Sequence, residues 1–593
     1  MHSSSGRFPW TCKTNELRTM GEILNGIVVS CTNDGVRHKV EAGTTLAEIS
    51  KKWCPRVKGK DGVALPVLAA LVDHNINNLG YRVYEPHTVE FLTYASPEGR
   101  SCFIRSLVLV LQKAVSDLFP DKVLIVEHSL PSGIYCEIVE IEKAEDGRNR
   151  PYFLKDDEIE ALKARMEALI AADLPFVRRK VPCEEAVALF ESRHQDDKAT
   201  LFRSLGQYSV ILYDLDGWAD TFHGPMLMST GILNKFDLVA FSRGICLQPP
   251  VYGKSDKVMP QKRQSKIAGA LEDHAAWCGT IGIKGVGTLN TAIAEGHATQ
   301  VINLAEARHE RKYAAIADMI YQRRGQVKFV FIAGPSSSGK TSSSLRLALQ
   351  CKVLGLNPKV IELDNYFVDR DKTPLDEDGE KDFESLYAMD LEYLNRQLND
   401  LIAGREVEIP RFDFKTGCRA STGTKLRLEE NDILIMEGIH ALNPEMTTSV
   451  DNSRIFRVYV SALTSLNLDE NNNISTSDNR LLRRMVRDNR VRGVIPEDTI
   501  MRWPSVRRGE VRNIFPFQEN ADVIFNSALI FELPMLKYYA EPLLRRIAPN
   551  SPAYPEAARM LRFLANITAL TPAEIATIPP TSIMREFIGG QTL

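Results

Sequence analysis

No run of residues in this chain approaches 18 apolar side chains, so nothing reads as a membrane-spanning helix. C-x-x-C pairs and Cys/His clusters at zinc-finger spacing are also missing. The ten cysteines, scattered from Cys12 to Cys418, fit reduced thiols better than a disulfide framework. Internal repeats and low-complexity tracts are absent. The opening MHSSSGRFPWTCKTNELRTMGE lacks the apolar stretch of a secretory leader. It reads as a tail, or as an over-long start with Met20 the true beginning, and a cytoplasmic protein is the expectation. A net charge of −3 excludes a generally basic nucleic-acid-binding surface and leaves only local patches. With 44% hydrophobic and 25% charged residues the composition is that of a globular protein, and 593 residues ask for three or four domains.

What is there changes character along the chain. NGIVVSCTNDGVRHKVEAG holds two apolar-rich runs about Asn33-Asp34-Gly35, as a hairpin should. TTLAEISKKW opens a helix on a threonine cap, and VEFLTY reads as a closing strand. These make a small β-grasp-like unit. From about 100 to 250 the pattern is α+β, with SLVLVLQKAVSDLF and EIEALKARMEALIAADL as amphipathic helices and VILYDLDGW and FDLVAFSRGICLQPP as strands with turns. Residues 252–275 are polar and read as a linker or exposed helix, and 285–322 as helical. After 327, VKFVFIAG, PKVIELD, DILIMEG and RIFRVYV are strands suited to burial in a parallel sheet, with helices between them. The last fifty residues read as a small helical appendage.

The stretch FIAGPSSSGKTSSS places Gly334, Pro335, Ser336, Ser337, Ser338, Gly339, Lys340, Thr341 and Ser342 directly after a strand and at the start of a helix. Gly334, Gly339, Lys340 and Thr341 complete G-x-x-x-x-G-K-[ST]. The glycines permit the turn that aims N–H groups at phosphate oxygens, Lys340 reaches the β/γ-phosphates, and the Thr341 hydroxyl can ligate Mg²⁺. Asp364, expected at the C-terminal end of a strand next to the cradle strand, could take a proton from an acceptor hydroxyl; alone it could equally be a helix cap. Glu437, ending DILIMEG, could support the metal, or be a surface glutamate at a strand end. Arg480, Arg483, Arg484 and Arg487 recur at helical spacing in DNRLLRRMVRDNRVRG. They read as a solvated basic face or as a lid that closes over phosphates and neutralises charge.

Together, GPSSSGKTS, LDNYF, IPRFDF, IMEGI and DNRLLRRMVRDNRVRG stand in the order that resembles the uridine kinase/phosphoribulokinase family, from about 327 to 530. The resemblance implies an ATP- and Mg²⁺-dependent phosphotransfer to a hydroxyl, with Asp364 as base, Glu437 and Thr341 at the metal, and Lys340, Arg480, Arg484 and Arg487 on the transferring group. It places Tyr366, Phe412 and Asp382 on the acceptor, with Asp390 as a competing match for Asp382. One departure stands out. Uridine kinases carry a tyrosine and a histidine that contact the pyrimidine, and here those positions are Phe412 and Gly417, neither of which can donate a side-chain hydrogen bond.

The front part resembles the N-terminal part of threonyl-tRNA synthetase, a TGS domain followed by the second additional, or editing, domain. NDGVRHKVEAGTTLAEIS, RSLVLVLQKAVSDLFP, SGIYCEI and HGPMLMSTGILNKFDLVAF carry that likeness. The four groups that the editing site clusters fall here on Arg105, Leu109, Phe222 and Met226, which suit neither metal binding nor water activation.

The expected fold class is therefore α/β and multidomain: a β-grasp TGS-like domain, an α+β synthetase-editing-like domain and a doubly wound parallel-sheet P-loop kinase domain. The expected boundaries are a tail at 1–24, the TGS-like domain at 25–96, the editing-like domain at 97–250, a connector at 251–325, the kinase-like domain at 326–545 and the appendage at 546–593. The expected activity is transfer of the γ-phosphoryl group of ATP to a small-molecule acceptor, first a nucleoside. Alternatives are a non-nucleoside sugar, sugar phosphate or polyol, and an ATP-binding RNA-linked regulator. RNA binding through the front half has no residue-level support, and an oligomer is left open.

Overall fold

Residues 26–53, 64–130, 132–142, 150–251, 258–260, 264–375, 379, 381–413, 415–464 and 466–593 are described by the computed structural model. The expected tail at 1–24 and most of the polar stretch 252–263 lie outside them. The chain divides into two compact units, Met1–Ile125 with Leu130–Ala186 and Tyr208–Gln261, and Val126–Ser129 with Val187–Gln207 and Lys262–Leu593.

In the first unit the expected hairpin forms as Ile27–Cys31/Val36–Val40, with Cys31 opposite Val36. Ile27–Cys31 runs parallel to His87–Thr93, and the sheet continues through Val67–Val72 to Asn75–Asn77. The helix Leu46–Trp53 starts on a reciprocal cap: Thr45 Oγ1 accepts from Glu48 N–H at 3.2 Å, and Glu48 Oε2 accepts from Thr45 N–H at 2.8 Å. Its Leu46 and Ile49 are buried with Val29, Val72 and Phe91. The α+β part carries the helices Pro97–Leu118 and Asp156–Ala171 and antiparallel strands that include Gly133–Glu140, Asp237–Phe241 and Gly244–Gln248.

The second unit is organised by five parallel strands in the order Asn357–Glu362, Asp432–Glu437, Phe329–Ala333, Ile455–Ser461, Val523–Asn526. The central strand FVFIA is buried throughout, so it needs apolar residues on both faces. Phe329, Phe331 and Ala333 pack with Leu434, Met436 and Leu398 on one side. Val330 and Ile332 pack with Tyr313, Ile316 and Leu347 on the other. This is the doubly wound arrangement, and its crevice lies beyond the C-terminal ends of the strands.

Four expectations need correction. The strand before Asp364 is not next to the cradle strand; it pairs with Asp432–Glu437, which lies between them. The reason is the strand order: the first crossover passes over one position, which the later strand DILIME then fills. Residues 264–275 are not an exposed connector either, because the helix Ser265–Thr280 buries Ile267, Leu271, His274 and Cys278. The stretch expected as an appendage is part of the core: Ala557, Met560, Leu564, Ile583, Met584 and Phe587 pack with Leu482, Met485, Phe531 and Leu536. At about 1.5–3 kcal/mol for each large apolar side chain buried, those residues are a substantial part of what holds the unit together. Residues 187–207, expected with the editing-like domain, also belong to this unit. Leu201 enters the same core, and Glu470 accepts the N–H groups of Asp197 at 2.9 Å and Lys198 at 3.0 Å.

Candidate active site

The strand Phe329–Ala333 delivers a loop that only certain residues can make. A β-carbon at Gly334 would lie 2.0 Å from the Val460 carbonyl oxygen, and Gly339 sits at φ +83°. Both positions require glycine. The loop's carbonyls are tied down: Arg480 Nη1 donates to Ser336 O at 3.1 Å, Arg483 Nη1 to Ser337 O at 3.4 Å, and Ser527 Oγ to Ser338 O at 2.6 Å. In a trans peptide the following N–H points the opposite way, which turns the N–H groups of Ser337 and Gly339 to the other side of the loop, while Ser338 N–H donates to the Pro335 carbonyl at 3.2 Å. The buried hydroxyls of Ser337 and Ser338 have no partner among the described residues. Lys340 then opens the helix Lys340–Val353. Donors converging at a helix N-terminus make a cradle suited to phosphate.

Carboxylates cluster at this helix start. Glu437, buried, accepts a hydrogen bond from Thr341 Oγ1 at 2.6 Å. Burial pushes its pKa up to about 7, and the charges of Asp364 and Glu362 add to that against the pull of Lys340. Asp364, in the turn Leu363–Tyr366 just past its strand, is also raised by burial and by Glu362, with Lys340 and Arg492 opposing. Glu384 is raised to about 7 by burial and by Glu510, with Arg484 and Lys340 opposing. Glu510 behaves differently. Although burial works against its charge, Arg480 and Arg507 hold its carboxyl below the ordinary value. Lys340 thus acts electrostatically on Asp364, Glu384 and Glu437 together, the pattern of shifted groups that marks chemical sites.

The arginine helix Thr476–Arg492 divides its labour. Arg480 and Arg483 are fully buried, paired with Glu510 and Glu532 respectively, and they hold the cradle from behind. Arg484 reaches forward, donating from Nη1 to Ser336 Oγ at 2.8 Å. Asp488 gathers Arg484 at 3.3 Å, Arg487 at 2.8 Å and Arg492 at 3.5 Å. The helix is therefore packed into the unit, with a buried face and a face at the site.

The acceptor-side expectations are distributed unevenly. Tyr366 is buried, its hydroxyl donating to Gln397 Oε1 at 2.9 Å, and lies in the core. Phe412 is buried edge-on to Phe367, ring centres 5.7 Å apart, and its N–H donates to Asn365 Oδ1 at 3.2 Å. Asp382 faces Arg512 at 3.3 Å, and Asp390 caps the helix Leu391–Ile402 while pairing with Arg419 at 2.9 Å. The carboxylate that meets Asp364, Lys340 and Arg484 is Glu384, two residues after Asp382. Glu384 is aimed there by the helix Pro496–Asn513. Asn513 Nδ2 donates to its carbonyl at 2.6 Å, and Gly509 leaves room for its side chain, since a β-carbon there would lie 2.8 Å from Glu384 Cγ. At Gly417, φ +74°, a β-carbon would lie 2.8 Å from Arg370 Nε, so the arginine lies against that position.

In the first unit Arg105 lies against the segment that carries Phe222 and Met226. Leu109, Phe222 and Met226 are buried. Arg105 donates to the Pro225 carbonyl from Nη2 at 2.9 Å and from Nε at 3.2 Å. Gly224 is open to that side chain, since a β-carbon there would lie 2.7 Å from Arg105 Cζ. Among the described residues, no group of three or more His, Cys, Asp or Glu is placed to hold a metal ion, and no helix is long and apolar enough to cross a membrane.

Comparison with known proteins divides the chain in the same way. Residues 329–530 match the model of the Phosphoribulokinase / Uridine kinase family. The N-terminal region is similar to threonine–tRNA ligases. That of Symbiobacterium thermophilum is 29% identical over 218 residues, 37% of this chain and 31% of the ligase. That of Methylococcus capsulatus is 29% identical over 207 residues, 35% and 30%. The chain thus spans about a third of the length of these relatives. Among solved structures, a possible uridine kinase from Bacillus stearothermophilus aligns with 36% of this chain and 98% of its own at 19% identity and a TM-score of 0.26. A D-glycerate 3-kinase from Cryptococcus neoformans aligns with 36% and 89% at 14% identity and a TM-score of 0.26.

Proposed function

We propose that the second unit is an ATP-dependent small-molecule kinase that transfers a phosphoryl group to an acceptor hydroxyl. The observation that carries this reading is the meeting of Asp364, Glu384 and Glu437 around Lys340 at the start of the cradle helix. Bound ATP with Mg²⁺ would supply the transferable γ-phosphoryl group. The residues fit that load: turned-out N–H groups, two buried unpartnered serine hydroxyls and a Thr341–Glu437 pair that could hold the cation.

The chain's own residues then have distinct work. Asp364 accepts the proton of the acceptor hydroxyl on its carboxylate as the oxygen becomes a nucleophile, and its raised pKa makes it a better base than an exposed aspartate. Glu384 holds and orients the acceptor through a second hydroxyl. Lys340 and Arg484 neutralise charge that develops on the transferring group, while Arg480 and Arg483 keep the loop in shape. Arg487, held by Asp488, is poised on the same helix face.

A nucleoside is the first acceptor class. A sugar, sugar phosphate or polyol is the second reading, favoured by the buried ring of Phe412 and by Arg370 lying against Gly417. That pair offers an apolar wall and a cation rather than a base-reading hydrogen-bond set. The test is ADP release across nucleosides, sugars, sugar phosphates and polyols, with Lys340→Ala and Asp364→Asn as controls. One acceptor should stimulate turnover and both substitutions should abolish it. ATP binding with no stimulation by any acceptor removes the role given to Asp364.

A further inference from the structure

The strongest unexplained feature is what lies on the cradle helix. Glu586 Oε2 accepts from Ser342 Oγ at 2.7 Å and from the Ser342 N–H at 3.4 Å. Gln591 Nε2 donates to the same hydroxyl at 3.0 Å. Ser342 is the third residue of the helix Lys340–Val353, so its N–H is one of the free donors at the N-terminus, where an anion is stabilised. The arginine helix holds the intruding segment as well. Arg490 donates to the carbonyls of Glu586 and Phe587, each at 3.0 Å, and Arg487 Nη1 lies 3.9 Å from Glu586 Oε1.

The backbone of this segment is fixed. Ile583, Met584 and Phe587 are fully buried, Ser582 Oγ donates to Glu306 Oε1 at 2.5 Å, and Ile583 Cδ1 lies 2.6 Å from where a β-carbon of Gly339 would stand. The Glu586 side chain, in contrast, ends on a single serine and one loose arginine contact. A rotation about its own bonds frees Ser342 without moving the segment.

We propose that Glu586 is a built-in anionic competitor for the phosphate chain of the nucleotide, an autoinhibitory contact whose side chain must leave Ser342 before a phosphate can use it. A carboxylate and a phosphate cannot both accept from one N–H at hydrogen-bond distance, and their like charges repel. Arg490 holds the competitor's backbone, Gln591 donates to the same serine hydroxyl, and Arg487 is shared between the competitor and the site. The inference rests on the reading of 334–342 as the nucleotide cradle.

The test measures MgATP affinity by calorimetry and the ligand-free melting temperature in the full chain, for the wild type, Glu586→Gln, Glu586→Asp and Lys340→Ala. Removing the charge should tighten MgATP binding about 3- to 30-fold, the range that a helix-end charge of about 0.6–2 kcal/mol gives. The ligand-free Tm should fall at the same time, because the helix end loses an anion. Glu586→Asp, which keeps the charge but withdraws it, should lie between. If Glu586→Gln binds as the wild type does, or more weakly, while Lys340→Ala abolishes binding, the competitor is rejected and the cradle stands. If Lys340→Ala also binds as the wild type does, the nucleotide reading fails and takes the competitor with it.

Discussion

The recess around Asp364 and the cluster around Arg105 are opposite solutions to the burial of polar groups. At Arg105 the guanidinium donates to the Pro225 carbonyl, and Leu109, Phe222 and Met226 are buried apolar side chains. At Asp364, three carboxylates are crowded about one lysine, and burial raises the pKa of each. That crowding costs stability and makes sense only if a ligand relieves it. The two regions therefore differ in what their buried polar groups leave for a ligand to use.

The sharpest break in the comparison is expected from the buried pairs behind the cradle. Arg480→Ala leaves the buried Glu510 with Arg507 as its remaining cation and should cost up to about 3–5 kcal/mol. It also frees Ser336 O, so nucleotide binding should be lost along with stability, read by calorimetry and a melting curve. A stable variant that still binds ATP would show that the loop holds its shape unaided. Asp364→Asn comes next. It should leave ATP binding intact while kcat falls about 10³-fold, within the range for a lost general base. An unchanged kcat would move the base elsewhere, with Glu384 the first candidate.

How much of this was legible depended on whether a residue's role was set locally. Gly334 and Gly339 were readable because backbone sterics leave no other choice, and the all-apolar FVFIA and DILIME announced buried parallel strands. Asp382 and Glu384 were not separable. Both are acids in KDFESLYAMD, and what distinguishes them is Arg512 beside one and Gly509 beside the other, contacts that span more than a hundred residues. The arginines of the helix 476–492 were visible as a periodic set, but Glu510 and Glu532, which claim two of them, carried no local sign. The amphipathic EAARMLRFLANI was clear as a helix. The Leu482–Phe531 core that its apolar face covers was not.

Glu384 offers a test in which function and stability move oppositely. Its folded pKa, about 7, exceeds the ordinary 4.5. The folded state therefore holds the proton more tightly than the unfolded chain between those values. The stabilising contribution is complete below 4.5 and is lost as pH rises through about 7, by at most about 3 kcal/mol. Glu384→Gln should flatten that slope, raising Tm at pH 8 with little change at pH 4, while the KM for the acceptor rises tenfold or more. Melting curves at the two pH values check the first part and steady-state kinetics the second. Asp364, also raised, should give kcat/KM an acid limb above the ordinary aspartate range, with activity falling as pH falls. Equal Tm changes at both pH values would mean that Glu384 acts through packing instead of charge.

The smallest effect is expected in the first unit, and it bears on whether the two regions work separately. Arg105→Met keeps most of the side-chain volume but removes the donors to the Pro225 carbonyl, which should cost about 1–2 kcal/mol locally. Faster amide exchange in the helix Pro97–Leu118 would report it. Acceptor-dependent ADP release should stay within twofold of the wild type, since Arg105 touches no group placed in the chemistry. If turnover instead falls in proportion to the local opening, the synthetase-like region governs the kinase-like one. The contrast would then be between a region that performs the reaction and one that controls it.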